Sequence, residues 1–478
     1  MKVLFVAAEA YPLAKVGGLG DVAGSLPKAM QSLGHDIRIV LPRYGMVAAG
    51  SDGFEFRVPV GGGMETAWLR TTAIDGVPVY LIDKPELYDR PKVYEYPDDG
   101  KRFGFFNRAA LEACLATGFA PDIVHCNDWH SALIPAFLKT EYESHPALGK
   151  ARSVLTIHNL QHQGLFGRDL FEWLGLPPAC WTPEGVEFFG QLNFLKAGIV
   201  YADRVNTVSP TYAREIQTEE YGCRLEALLR SRASKLSGIL NGIDYRTWDP
   251  QRDPFIARPY SVSSLGQKAE NKKALQQEVG LRVDPNVPLL GLVSRVTQQK
   301  GFDILNPALP EILRLGVQFV LLGAGEKLYE VTIARVAKDF PDFAAALKYD
   351  EKLAHRIYAG SDFFLMPSKF EPCGLGQMIS LRYGTVPIVR RTGGLADTVV
   401  DATANTASGN GFVFEPYTPE ALLASVRRAI GAYRAGRAWA SLQQRAMSAD
   451  LSWAASARQY AALYGLATER DRPGRIAD

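Results

Sequence analysis

The sequence predicts an α/β protein built from two doubly wound domains, and three observations predict it. Apolar runs without alternation, such as Phe363-Phe364-Leu365-Met366, read as parallel strands covered on both faces. These runs alternate with segments of helical period along nearly the whole chain. The alternation restarts after a stretch at 243–260 rich in Asp, Pro and Arg, which follows the turn signal Asn241-Gly242 and sets the domain boundary there. At 478 residues the chain is too long for one core, and a prior of roughly 150 residues per unit allows two or three domains.

In order, 2–8 is an apolar strand, 21–33 is helical in pattern apart from Pro27, and 36–41 is a second strand, a βαβ unit. The intervening loop Lys15-Val16-Gly17-Gly18-Leu19-Gly20-Asp21 lacks the spacing of a dinucleotide fingerprint. It does set glycine amides and a lysine at a helix start, where an anion would be welcome; the plainer reading is a glycine turn with a solvated Lys15. Residues 54–81, with Asp75-Gly76, suggest an antiparallel insertion. Tyr88-Asp89-Arg90 and 94–99 form an aromatic, acidic loop suited to sugar stacking or to plain surface. Helix 103–116 leads to strand 122–125 and the tip Asn127-Asp128-Trp129-His130; helix 132–139 leads to strand 153–157 and the tip His158-Asn159. Ligands in open α/β sheets bind beyond such carboxyl ends, so Asp128, Trp129, His158 and Asn159 are candidates together, whereas either histidine alone is an ordinary hydrogen-bonded loop residue. A strand at 205–208 and a segment 236–240 close the first half.

The second half repeats the scheme: helix 267–279 and strand 288–294, helix 302–314 and strand 318–322 with Gly323-Ala324-Gly325, a helix to 340, Tyr349-Asp350, helix 351–359, strand 363–366, strand 387–390 with Thr392-Gly393-Gly394, strand 411–414, and helices to the end. The Arg-rich tail 469–478 is expected to fray. Pro367 ends the strand at 363–366, Glu371 sits in the following polar loop, and Pro372-Cys373-Gly374 is expected to open a helix whose first amides face an anion. A carboxylate beside an anion site is costly unless it binds something specific, such as sugar hydroxyls, so Glu371 asks for a polyhydroxylated ligand carrying phosphate; the alternative is a solvated glutamate. Arg295 and Lys300, in Ser-Arg-Val-Thr-Gln-Gln-Lys-Gly, suit a diphosphate, the arginine through a forked contact and the lysine as a point charge. Polar groups thus cap successive strands along one edge, and ligand binding explains the series together.

Composition narrows the classes of function. Hydrophobic content of 47% and charged content of 22% are ordinary for a globular protein, and 53 basic against 51 acidic residues leave +2, which favours neither nucleic acid nor an anionic membrane as partner. Cys114, Cys126, Cys180, Cys223 and Cys373 are scattered, odd in number and form no CxxC pair, as reduced cytosolic thiols do. The apolar run after Lys2 is too short for a secretion signal, and no later run reaches the ~18 apolar residues of a membrane span. A cytoplasmic protein, monomeric or a small homo-oligomer, is expected.

The motifs then carry a resemblance. KVGGLGDV at 15–22, HCNDWH at 125–130, TIHNLQHQG at 156–164, LNGID at 240–244, SRVTQQKG at 294–301 and SKFEPCGLGQ at 368–377 together resemble the bacterial glycogen synthases related to plant starch synthases, over 2–453. The resemblance implies the GT-B fold: two facing Rossmann-like domains with an interdomain cleft, an N-terminal one at 1–242 joined by a returning C-terminal helix at 457–478, and a donor-side one at 243–456. It implies transfer of glucose from ADP-glucose to the non-reducing end of an α-1,4-glucan such as glycogen, with retention, no cofactor and no metal in the chemistry. On these motifs Arg295 and Lys300 take the diphosphate, helped by amides near Gly374 and Gly376, and Lys15 with the Gly17 and Gly18 amides and Asp21 adds to them. His158 lies against the glucose 6-hydroxyl with its carbonyl facing the anomeric carbon. Asp128, Asn159 and Asn241 lie near the sugar, Glu371 with the Cys373-Gly374-Leu375 backbone holds the 3- and 4-hydroxyls, Thr392 lines the donor, Tyr349 stacks on adenine, and Trp129 and Tyr88 contact the acceptor. Ile379 stands where many transferases of this fold repeat a glutamate, so no ribose contact is assigned there, and Gly376 leaves only backbone for phosphate. Cys373 lacks a nearby base for a nucleophile's role.

Two other readings stay open: a sucrose- or trehalose-type transferase using UDP-glucose, and a non-catalytic glucan-binding protein with a decayed site. The joint presence of Lys15, His158, Arg295, Lys300 and Glu371 argues against decay. A nicotinamide dehydrogenase is disfavoured because neither half has GxGxxG after its first strand.

Overall fold

A computed structural model describes residues 1–48, 53–436 and 438–469. The chain forms two compact units, Met1–Gly242 with Trp453–Asp478 and Ile243–Ser452. The expected fraying of 470–478 lies outside the described residues.

The first unit is organised on a nine-stranded sheet. Its strands are β1 (Lys2–Val6), β2 (Asp36–Pro42), β3 (Gly53–Val60), β4 (Gly63–Ile74), β5 (Val77–Asp83), β6 (Ile123–Asn127) and β7 (Arg152–Ile157). A small three-stranded sheet holds β8 (Leu165–Phe166), β9 (Glu187–Phe188) and β10 (Gln191–Asn193), and β11 (Arg204–Thr207) and β12 (Leu236–Gly238) return to the large one. The order is β12-β11-β7-β6-β1-β2-β5-β4-β3, parallel except for the two pairings made by β4. The stretch expected as an insertion is therefore an extension of the main sheet, because β5 pairs parallel to β2. In helix Gly18–Ser32, Leu19, Val22, Ala23, Leu26 and Met30 fall on one face and are buried, a period that Pro27 does not break.

The last helix is Trp453–Thr468, so the expected start at 457 lies inside it. Its Trp453, Ala457, Tyr460, Leu463, Tyr464 and Ala467 belong to the core of the first unit.

The second unit has a six-stranded sheet, wholly parallel: β13 (Leu289–Val293), β14 (Gln318–Leu322), β15 (Phe343–Ala346), β16 (Phe363–Met366), β17 (Val386–Arg390) and β18 (Phe412–Phe414). Their order, β15-β14-β13-β16-β17-β18, reverses direction between β13 and β16. In open α/β sheets ligands bind beyond the carboxyl ends of the strands at such a reversal. Arg295 and Lys300 follow β13, and Glu371 follows β16. In the first unit the corresponding reversal lies between β1 and β6, from which the loops carrying Lys15 and Asp128 leave.

Candidate functional site

In the first unit the loop after β1 is built on a residue that no motif marks. Glu9 is buried, and its Oε2 accepts from the Val16 amide at 2.6 Å and the Gly17 amide at 2.8 Å, while its Oε1 accepts from the Tyr94 hydroxyl at 2.6 Å. The Gly17 amide expected to face phosphate is thus already engaged by a carboxylate. Lys15 Nζ donates to Asp21 Oδ1 at 2.7 Å, with both side chains partly open to solvent. A Cβ on Gly17 or Gly18 would meet nothing within 4 Å, so neither glycine is required by the protein's own packing; that leaves room for a close approach from outside. Gly20 is different, since a Cβ there would sit 3.0 Å from Lys15 Cγ and 3.2 Å from Glu9 Oε2.

The loops after β6 and β7 meet. Asp128 has a left-handed backbone, φ 53°, and its Oδ1 accepts from the His158 amide at 2.7 Å and the Asn159 amide at 3.4 Å. Burial pushes its carboxyl up to about 7, with Glu9 adding to the shift. His158 Nε2 lies 3.0 Å from Asn127 Oδ1, and burial lowers the imidazole to about 3, so the ring is neutral. Asn241 is buried and its Oδ1 has no hydrogen-bond partner among the described residues. An orphaned buried carbonyl is rare in folded proteins, so this oxygen is a candidate ligand contact.

Tyr88 and Trp129, expected to contact the acceptor, are both buried. Tyr88 is fully buried and its hydroxyl donates to the Arg102 carbonyl at 2.8 Å. Trp129 is 9% exposed, packed by Phe103, His130, Phe166 and Phe194, and a Cβ on Gly164 would strike its ring. The aromatic loop 94–99 is likewise neither stacking platform nor plain surface, because Tyr94 braces Glu9 and stacks on His130 at 4.6 Å. His125, the first residue of the HCNDWH motif, serves the core: its ring nitrogens lie 2.7 Å from the Tyr464 hydroxyl and 2.7 Å from Thr156 Oγ1.

In the second unit Lys300 Nζ donates to Glu371 Oε1 at 2.9 Å and to Oε2 at 2.6 Å, and Ser368 Oγ donates to Oε2 at 2.9 Å. Glu371 is buried rather than solvated. Arg295 is exposed and reaches the neutral amide of Gln299 at 3.2 Å. Gly301, φ 82°, follows Lys300, and a Cβ there would run into the Pro367 carbonyl, so the loops after β13 and β16 touch through this glycine. The helix expected to open at 372–374 begins at Gly376, preceded by Leu375 and by Gly374 at φ 74°. Gln377 Nε2 holds the Cys373 and Gly374 carbonyls at 3.0 and 2.9 Å, while its buried Oε1 has no partner among the described residues. A Cβ on Gly393 or Gly394 would run into the Glu371 or Cys373 carbonyl, and the Gly394 amide donates to the Glu371 carbonyl at 3.1 Å. A Cβ on Gly323 or Gly325 would likewise strike the Ser294 or Val296 carbonyl. These glycines let neighbouring loops pack, which explains part of the series that ligand binding alone was expected to explain. Thr392 is buried ahead of them, Cys373 is buried, and Tyr349, 84% exposed after β15, is an open aromatic face. A cavity of about 650 Å³ in this unit, lined in part by Asp249, Ser263, Arg382 and Gln444, contains none of the predicted residues.

Of the residues expected from sequence, the structure joins Asp128 to His158 and Asn159, and Lys300 to Glu371; Glu9, Asn127 and Ser368, which hold them or their loops, were not among those expected. A lone acid just past an apolar strand was the signal available for Glu9. Among the described residues no helix is long and apolar enough to cross a membrane.

Comparison with known proteins matches the two units separately. Residues 2–231 match the starch synthase catalytic domain model and 287–431 the model for glycosyl transferases group 1. A glycogen synthase of Moorella thermoacetica is 48% identical over 99% of this chain and 98% of its own, and one of Anaeromyxobacter dehalogenans is 50% identical over 97% and 98%. The catalytic domain of starch synthase IV from Arabidopsis thaliana, solved bound to ADP and acarbose, superposes with a TM-score of 0.91 at 37% identity, covering 98% of this chain and 99% of that one. A sucrose-phosphate synthase from Thermosynechococcus elongatus shares the fold at 17% identity, with a TM-score of 0.60 over 97% and 98% of the two chains.

Proposed function

The chain belongs to the family of glycogen synthases and starch synthases, two-domain glycosyltransferases of the GT-B fold, and from that premise we propose that it moves glucose from ADP-glucose to the non-reducing end of an α-1,4-glucan with retention. Cleaving a glycosyl phosphate leaves positive charge on the sugar and negative charge on the departing ADP, and fixed cations at the diphosphate stabilise that separation. Arg295, whose side chain is bound by a neutral amide, supplies an undiminished charge. Lys300 spends two of its three N–H groups on Glu371 and offers the third to a phosphate oxygen. Lys15 adds a further cation, and Gly17 and Gly18 admit the phosphate closely because they carry no side chain. No metal or other cofactor takes part in the proposed step.

Around the sugar, Glu371, through the Oε1 lone pair that Lys300 and Ser368 leave open, and the Cys373-Gly374 backbone together hold the 3- and 4-hydroxyls, and the carboxylate's cost of burial is offset by that lysine. His158 contacts the 6-hydroxyl and turns its backbone carbonyl to the anomeric carbon, Asn241 offers its unpartnered oxygen, Asp128 fixes the His158 and Asn159 amides, and Tyr349 covers the adenine. The observation that carries this reading is the buried Glu371 and Ser368 with the half-buried Lys300 at the strand reversal, a charge-compensated acceptor set suited to hydroxyls beside phosphate. Five scattered cysteines with no CxxC spacing support a cytoplasmic setting.

The test measures nucleotide diphosphate released with glycogen as acceptor. ADP-glucose is expected to be turned over at least tenfold faster than UDP-glucose at equal concentration; the reverse preference would overturn the donor.

A further inference from the structure

We propose that Asn127 is a positioning residue that fixes His158 in the Nε2–H form, so that Nδ1 is a bare acceptor demanding a hydrogen from the hydroxyl at C6 of the donor sugar. The inference rests on the placement of His158 against that hydroxyl given above and assigns what selects there.

The orientation of the Asn127 amide follows from its neighbours. Its Nδ2 lies 3.1 Å from the Val6 carbonyl and 3.5 Å from the His125 carbonyl, both of which can only accept. Turning the amide over would press Oδ1 against two carbonyl oxygens. Oδ1 must therefore be the atom 3.0 Å from His158 Nε2. An amide oxygen cannot donate, so Nε2 carries the hydrogen. A neutral imidazole has a single N–H, and the ring is neutral because burial holds its basicity far below the ordinary histidine value. Nδ1 is then a lone pair, and among the described residues no group donates to it. Asn127 itself cannot drift: it is fully buried, its backbone N–H donates to Ser131 Oγ at 2.7 Å, and that hydroxyl donates back to the Asn127 carbonyl at 3.0 Å. At the other end the His158 backbone is tied to Asp128 Oδ1.

The chemical consequence is selection by hydrogen-bond sense. A primary hydroxyl at C6 can donate to Nδ1; a 6-deoxy sugar cannot, and a 6-carboxylate or an O6-substituted sugar presents only lone pairs, which the bare nitrogen repels. The same ring with its tautomer free would donate or accept equally well and would discriminate less.

Two measurements on the intact chain test this. With nitrogen-15 histidine, and the His158 signals assigned by their loss in His158→Ala, the wild-type ring is expected to show a protonated-type Nε2 and a bare-type Nδ1; the opposite pattern would overturn the proposal whatever the variants do. Asn127→Leu, which keeps bulk and removes the acceptor, is expected to give averaged nitrogen shifts. It is also expected to lower the preference for ADP-glucose over ADP-6-deoxyglucose by about tenfold in kcat/KM, the worth of one hydrogen bond. A variant that folds yet slows both donors equally would reduce Asn127 to a structural residue and sink the idea. If instead His158→Ala turns over ADP-glucose normally, the assignment of His158 to the sugar fails while the tautomer measurement still stands on its own.

Discussion

Lys300 and Arg295 follow the same strand, yet removing them has different costs. Lys300 compensates a buried carboxylate, so Lys300→Ala strands Glu371 without its cation and is expected to destabilise the second unit by about 3 kcal/mol, seen as a lowered melting temperature. Arg295→Ala breaks one bond to an exposed-side amide and is expected to leave the melt within about 0.5 kcal/mol of wild type while kcat falls about a hundredfold. Asp128 carries a pH signature. Its carboxyl titrates near 3.8 when unfolded and at about 7 when folded, so between those values the folded protein holds a proton that the unfolded chain has released. Stability should therefore fall as pH rises through that window and level off above it, and Asp128→Asn should abolish the slope in denaturant titrations. His158, held near 3, should add no step to activity profiles above pH 5. At this scale the charged contacts were legible because their motifs are chemically unusual. Glu9 and Asn127 were not, since a polar residue at a strand end looks the same whether or not it braces a neighbour. Tyr88 and Trp129 are buried where open rings were expected, because ring chemistry is written in sequence, whereas burial is settled by packing.

Glycines separate two kinds of loop. Gly301 has a backbone that side chains resist and a carbonyl where its Cβ would stand, so Gly301→Ala is expected to cost about 2–3 kcal/mol and to displace Lys300 from Glu371. Gly17 has an ordinary extended backbone and open space, so Gly17→Ala should melt as wild type yet raise KM for ADP-glucose severalfold. Melting curves and donor saturation measured side by side check both. The elements themselves were readable where apolar runs were long: five strands of the six-stranded sheet lie in runs the periodicity singles out, and β15, a short alanine-rich segment, does not. The sheet of β8, β9 and β10 escaped because strands of two or three residues carry no period. The 54–81 hairpin was read correctly as antiparallel, but its attachment was not, since pairing between β5 and β2 depends on residues far apart in sequence.

The two-unit architecture was evident from the restart of the strand and helix alternation, and the return of the chain to the first unit came with the family resemblance. The helix Trp453–Thr468 fills a place in the first unit that nothing else fills: Tyr464 pairs with His125, and Asn206 Nδ2 donates to the Tyr460 hydroxyl at 3.2 Å. A chain ended after Ser452 should leave those buried polar groups unsatisfied and an apolar seat open. Limited proteolysis is expected to degrade residues of the first unit while the second survives.

That helix also sets a timetable. Because its seat belongs to residues made early and its own sequence is made after the second unit, the ribosome must deliver the entire second unit before the first can be finished, a wait on the order of tens of seconds at ordinary elongation rates. During that interval the nascent protein carries a greasy vacancy beside His125, a natural landing place for a chaperone.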